Sequence, residues 1–270
     1  MTERHHRKSL ASVLTLIWLV SVGCTPHKSE TPPVSPPAGW PDSLGEFTMT
    51  WTAEPGIDLT TGAAVVVRAY LESYYLAYIT TDEKYLYPGF QQSVDANQPE
   101  GTDGTTELWP KPSRPKTWVG TARQHLLRIE RSDRDVTAVG CMYSYGSAVQ
   151  TEDGFDPNVG GIGPDAGVSA VRIGLRAPAN DDVVLPPQQG PSRAPFDNVF
   201  GGWRVTNHQG GFILLAQWDG AADDEAECVS RADRAPENRT FTPGGAYPRA
   251  DFPTLPATPG WPADPSTPPN

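Results

Sequence analysis

The longest periodic stretch of the chain lies between Thr61 and Thr80, where Val67, Leu71, Tyr74 and Tyr78 recur at three- and four-residue spacing. Val66, Tyr70 and Ala77 fall on the neighbouring stripe, so the pattern predicts a helix with a wide apolar face. Asp58, Thr60 and Thr61 stand where a helix start needs oxygen acceptors for its unpaired N–H groups, and Arg68, Glu72 and Ser73 mark the polar side. Asp82 to Tyr87 fits a short second helix that Pro88-Gly89 stops.

Gln98 to Lys116 reads as a loop, because Gly101, Gly104, Pro110, Pro112 and Pro115 forbid a continuous element. After it the period drops towards two. Thr117 to Glu130 and Val136 to Tyr145 predict strands joined at Ser132-Asp133-Arg134-Asp135, with Leu127 and Ile129, then Val136, Ala138, Gly140 and Met142, in near alternation. Gly154 to Gly167 is a Gly/Pro-rich excursion, Val168 to Leu175 a third strand and Asp181 to Asn198 a loop. Gly202 to Val205 and Gly211 to Trp218 read as a closing strand pair across Asn207-His208-Gln209-Gly210, where Asn and Gly suit a turn. A helix followed by antiparallel strands defines the α+β class.

The flanks of this pattern are different in kind. Residues 24–45 carry Pro26, Pro32, Pro33, Pro36 and Pro37 and read as a semi-rigid spacer. Residues 236–270 are again proline-rich with little apolar period, which predicts a disordered or surface-draped tail. The folded α+β domain is therefore expected over 46–235. Residues 1–23 hold Arg4, His5, His6, Arg7 and Lys8, then the apolar run Leu10 to Val22, the layout of a secretory signal. That run is shorter than the roughly 20 apolar residues a membrane-spanning helix needs.

Leu19-Val20-Ser21-Val22-Gly23-Cys24 resembles the lipobox of bacterial lipoproteins, with Ser21 where leucine is usual. The resemblance implies cleavage before Cys24, acylation of that cysteine with palmitate-type chains, and a lipid-anchored place on the extracytoplasmic face of the cell membrane. Arginine far outnumbers lysine among the 21 basic residues, and with the proline-rich flanks this resembles exported actinobacterial, mycobacterial-type lipoproteins.

Net charge changes the list of partners. The chain carries −11, and loss of the signal, with a net +2 from Arg4, Arg7, Lys8 and Glu3, takes it to −13. Such a surface excludes nucleic acid, whose phosphates require a basic face, and leaves the lipid on Cys24 as the membrane contact. Cys141 and Cys228 are the remaining cysteines; in an oxidising compartment they are expected to pair as a disulfide.

Thr60-Thr61-Gly62-Ala63-Ala64, the aromatic helix end Tyr74-Tyr75-Leu76-Ala77-Tyr78 and the strand Gly202 to Val205 resemble the NTF2-like fold over about Ile57 to Asp219. That likeness implies a curved antiparallel sheet wrapping the N-terminal helix into a cone. It also implies that His125, Tyr74 and Tyr78 are the residues to consider for acid or base work on a ligand in the cone. Asp153, Asp156, Asn158 and Asp165 lack the alternation of an EF-hand loop, Gly161-Ile162-Gly163 lacks the helix of a dinucleotide site, and Asp219, Asp223, Asp224, Glu225 and Glu227 read as a solvated acidic face. No metal or cofactor is implied. The leading expectation is a non-enzymatic binding domain for an envelope protein or an apolar ligand. The alternatives are an isomerase- or cyclase-type NTF2-like enzyme and an envelope factor that blocks phage entry.

Overall fold

The computed structural model describes residues 39–94, 108–111, 114–179, 185–233 and 241–266, all within the unit Pro36–Asn270. Cys24, the signal and most of the spacer lie outside them. Ahead of the long helix stands a strand that the sequence reading did not single out, β1 (Phe47–Ala53). Phe47, Met49 and Trp51 bury one face of it. The residues just before, Asp42–Leu44, form a single 3-10 turn with Leu44 buried, so the folded part begins inside the expected spacer.

Helix α1 (Gly62–Thr80) starts where expected. Asp58 accepts from the Thr60 backbone N–H and from both threonine hydroxyls, at 2.7–2.9 Å, which fixes the entry of the chain. The helix is buried on every side from Ala64 to Ala77, not on one face. Arg68, Glu72 and Ser73, expected as its polar side, are at most 3% exposed. A helix buried all round must carry its polar groups inward, and each of these three then needs a partner. The expected second helix is a 3-10 turn, Glu83–Tyr85, followed by one helical turn, α2 (Phe90–Ser93).

The strands follow as β2 (Trp118–Ser132), β3 (Asp135–Tyr143), β4 (Ser147–Gln150), β5 (Phe155–Pro157), β6 (Val168–Arg176) and β7 (Arg204–Gly210). Their order is β5-β4-β2-β3-β6-β7, with β1 on β2. All pairings are antiparallel except β1 with β2, which runs parallel from Phe47↔Gly120 to Ala53↔Leu126. The α+β class holds, with β1 as a parallel addition. β4 and β5 were missed because they are short and sit beside or within a glycine-rich excursion.

The two-residue period sorts the sheet into two faces. Val136, Ala138 and Met142 of β3 and Val171, Ile173 and Leu175 of β6 share a core with α1. Val139, Cys141, Tyr143, Val168 and Ala170 point the other way, into a second cluster with Cys228. A register shift between Leu126 and Arg128 puts Leu126 in the first cluster and Leu127 in the second. Cys228 belongs to α3 (Ala221–Ser230) and is disulfide-bonded to Cys141, as expected.

Two expectations are corrected at the end of the chain. Asn207 to Gly210 is not a turn but the second half of β7; the chain turns afterwards, at Gly210 and Gly211, both at φ 74°. A Cβ on Gly211 would lie 2.4 Å from the Tyr75 hydroxyl, so no other residue fits there. Residues 241–266 are not a loose tail. Trp51 N–H donates to Thr258 O at 2.7 Å, Thr50 bridges Thr258, and Trp261 bridges Ser192. Phe252 and Trp261 are almost fully buried. A proline-rich segment lacks some N–H donors, yet it can pair with a sheet edge that supplies the donors itself.

Candidate functional site

Glu72 lies at the centre of the first core and accepts from Trp51 Nε1 at 2.7 Å, Trp261 Nε1 at 2.7 Å and the Tyr87 hydroxyl at 2.9 Å. Burial raises its pKa, while Arg68 and these three donors pull it back. One turn earlier, Arg68 donates to the carbonyls of Leu59, Gln188 and Gly260, and its guanidinium lies 4.3 Å from the Trp261 ring centroid. Both groups are closed off from solvent. They hold β1, α1, the 185–192 segment and the C-terminal segment together.

His208, read as part of a turn, is fully buried among Tyr70, Tyr74 and Tyr75, with ring centroids 4.9–6.3 Å away. Tyr70 Oη lies 3.0 Å from His208 Nδ1 and donates its proton to Leu108 O at 3.0 Å. The network therefore assigns the ring proton to Nδ1, and Nε2 has no donor facing it among the described residues. Burial pushes the His208 pKa down to about 3, so the ring is neutral at physiological pH.

The residues marked from sequence are not brought together. His125 sits on β2 at the end of β1, with Nδ1 2.8 Å from Thr52 Oγ1 and Nε2 3.1 Å from Glu54. Glu54 is paired with Arg231 as well, and the His125 hydrogen bond is the main reason its pKa is lowered. Tyr74 is buried against His208. Tyr78 is half-buried and lines a surface cleft. Cys141 is engaged in the disulfide.

The acidic run is not simply a solvated face. Asp224 is buried in the first turn of α3 and accepts both guanidinium nitrogens of Arg128, at 2.6 and 3.0 Å, and Trp218 Nε1 at 2.8 Å. Burial raises its pKa, and the Arg128 and Trp218 hydrogen bonds outweigh that to leave it lowered. Asp156 accepts from Gly244 N–H at 2.7 Å. Among the described residues no group of three or more His, Cys, Asp or Glu side chains is placed to hold a metal ion. No helix of the described residues is long and apolar enough to cross a membrane.

Three clefts open among the described residues. A cleft of 250 Å³ at the start of α1 is walled by Val65, Val66, Val199, Trp203, Pro178 and Leu185, with Arg131 the one ionisable residue along it. At the other end of α1 two clefts of 180 and 320 Å³ share Asn158 and Phe212. The first is lined by Tyr78, Ile79, Arg114, Lys116 and Trp118, and the second includes Ser144, Gly160 and Asp165. Val66, Tyr78, Asn158 and Asp165 had been named from sequence in other roles, but Arg114, Lys116, Phe212 and Arg131 had been given none. Isolated cations and tryptophans in loops carry no periodic signal.

Comparison with protein-family models, with curated proteins and with solved structures finds no match to this chain. Its function must be argued from its own geometry.

Proposed function

We propose that this chain is an exported lipoprotein, anchored through Cys24 at the extracytoplasmic face of the membrane, whose α+β domain binds a partner or an apolar ligand without catalysis. The observation that carries the non-catalytic reading is the filled interior. Tyr70, Tyr74, Tyr75, Leu71 and Phe90 occupy it, and its one histidine is sealed and neutral. An acid or base must reach a bound substrate, and His208 is fully buried and lines none of the three clefts described. His125 is tied to Thr52 and Glu54 at the sheet margin.

What supports the finer NTF2-like reading is the burial of α1 along its length against one sheet face. β1, ahead of the helix and parallel to β2, is an addition to that plan. The disulfide fits the oxidising side of the membrane. For the ligand, the apolar 250 Å³ cleft beside Trp203 has the shape and lining of a small-molecule site.

The test is binding of the fluorescent apolar probe N-phenyl-1-naphthylamine and its displacement by dodecanol. The reading expects saturable binding by the wild type and several-fold weaker binding by Pro178→Trp, which puts an indole into the cleft. Absence of binding, or equal binding by the variant, would remove this cleft as the ligand site.

A further inference from the structure

The cleft at the other end of α1 contains two cations that no described residue engages. Arg114 and Lys116 line its mouth and have no hydrogen-bond or ion-pair partner among the described residues. Every other described arginine or lysine is engaged by a carboxylate, a carbonyl, a side-chain amide or another contact. In a chain of net charge −11 a surface cation finds an acid easily, so two idle ones at a single opening need a reason.

A second observation is independent of charge. Trp118, 8% exposed, lines the same cleft, and its indole N–H is buried without an acceptor among the described residues. Buried donors are almost always satisfied, and an acceptor placed in the cleft would satisfy this one. Tyr78, Ile79 and Phe212 supply the remaining walls, and Phe212 is held in place by stacking on Tyr75 with centroids 4.3 Å apart.

We propose that this cleft binds a small organic anion, with its carboxylate or phosphate oxygens between Arg114 and Lys116 and within reach of Trp118 N–H, and its flat apolar body against Tyr78 and Phe212. Charge-assisted hydrogen bonds from arginine and an aromatic bed for the body form a recognition pair for such molecules. Asp165 in the adjoining cleft disfavours a second negative charge at the far end, which selects a compact anion over a polyanion. This site shares no residue with the apolar cleft beside Trp203, so the two proposals fail or stand separately.

The experiment is calorimetric titration of the mature full chain with 2-naphthoate, 2-naphthalenemethanol and inorganic phosphate. Naphthoate should bind, with the neutral alcohol and the bare phosphate each about 10-fold weaker or more, since each lacks one half of the recognition. Arg114→Gln combined with Lys116→Gln should lose about 10-fold or more in naphthoate affinity while melting with the wild type, because neither side chain has a hydrogen-bond or ion-pair partner among the described residues. Trp118→Phe, which keeps a ring and removes the N–H, should lose about 3-fold or more. Equal binding of acid and alcohol, equal binding of naphthoate and phosphate, or undiminished binding by the double variant would overturn the proposal. Undiminished binding by Trp118→Phe would remove the indole from it.

Discussion

Replacing Trp261 by alanine tests whether the C-terminal segment is part of the fold. Trp261 is 1% exposed, donates to Glu72 at 2.7 Å and lies under the Arg68 guanidinium. Truncating a buried aromatic of this size costs about 3–5 kcal/mol through lost transfer energy and the cavity left behind. Glu72 also loses one of three donors, a further cost of about 1–3 kcal/mol for a buried acceptor. The sum, about 4–8 kcal/mol, is a large fraction of the 5–15 kcal/mol (approximately) that holds a domain folded. At about 2–4 °C per kcal/mol for a domain of this size, the melting temperature should fall by roughly 10–30 °C. Trp261→Phe keeps most of the ring and loses only the donor, so it should cost about 1–3 kcal/mol. Urea unfolding and thermal melts followed by circular dichroism give both numbers. If Trp261→Ala melts within about 2 °C of the wild type, below the effect of a 1 kcal/mol change, the segment is a draped tail and the packing described for it is wrong.

Three further outcomes follow from the same packing. Replacing Cys141 and Cys228 by alanine opens a loop closed over a separation of 87 residues, and should lower stability by about 4–5 kcal/mol; an unchanged urea midpoint would refute the bond. Because the native His208 pKa is depressed to about 3 from 6.5, the unfolded chain takes up the proton first. Stability from this group is therefore complete above pH 6.5 and lost progressively as pH falls towards about 3, by about 4–5 kcal/mol over the interval. A His208 ring resonance that titrates near pH 6.5 would contradict this. Asp224→Ala leaves Arg128 and Trp218 without their shared acceptor, and should lower stability by about 1–3 kcal/mol; urea midpoints within error of each other would count against that pairing.

Local regularity was legible in the sequence, and long-range coverage was not. α1 announced itself through Val67, Leu71 and Tyr74 and through Asp58 at its entry, and β2, β3 and β6 through their two-residue period. The chain alone could not show that Arg68 and Glu72 turn inward, because the groups that satisfy them, Gly260 and Trp261, lie about 190 residues away. Asn207-His208-Gln209-Gly210 looked like a turn from its Asn and Gly, yet His208 fills the space between three tyrosines, and packing overrode the local preference. The C-terminal prolines signalled disorder by composition, although edge pairing to β1 asks few N–H donors of them. Arg114, Lys116 and Trp118 were invisible as a group, since only the fold brings a loop, a strand start and the segment after β7 to one opening.

The measurement that bears most directly on the proposed identity is the intact mass of the protein purified from the membranes of its own host. The account expects a chain that begins at Cys24 and carries diacylglyceryl or additional acyl mass on that residue, with Cys24→Ala released to the soluble fraction. A chain that still begins at Met1, or a Cys24 without lipid, would contradict it.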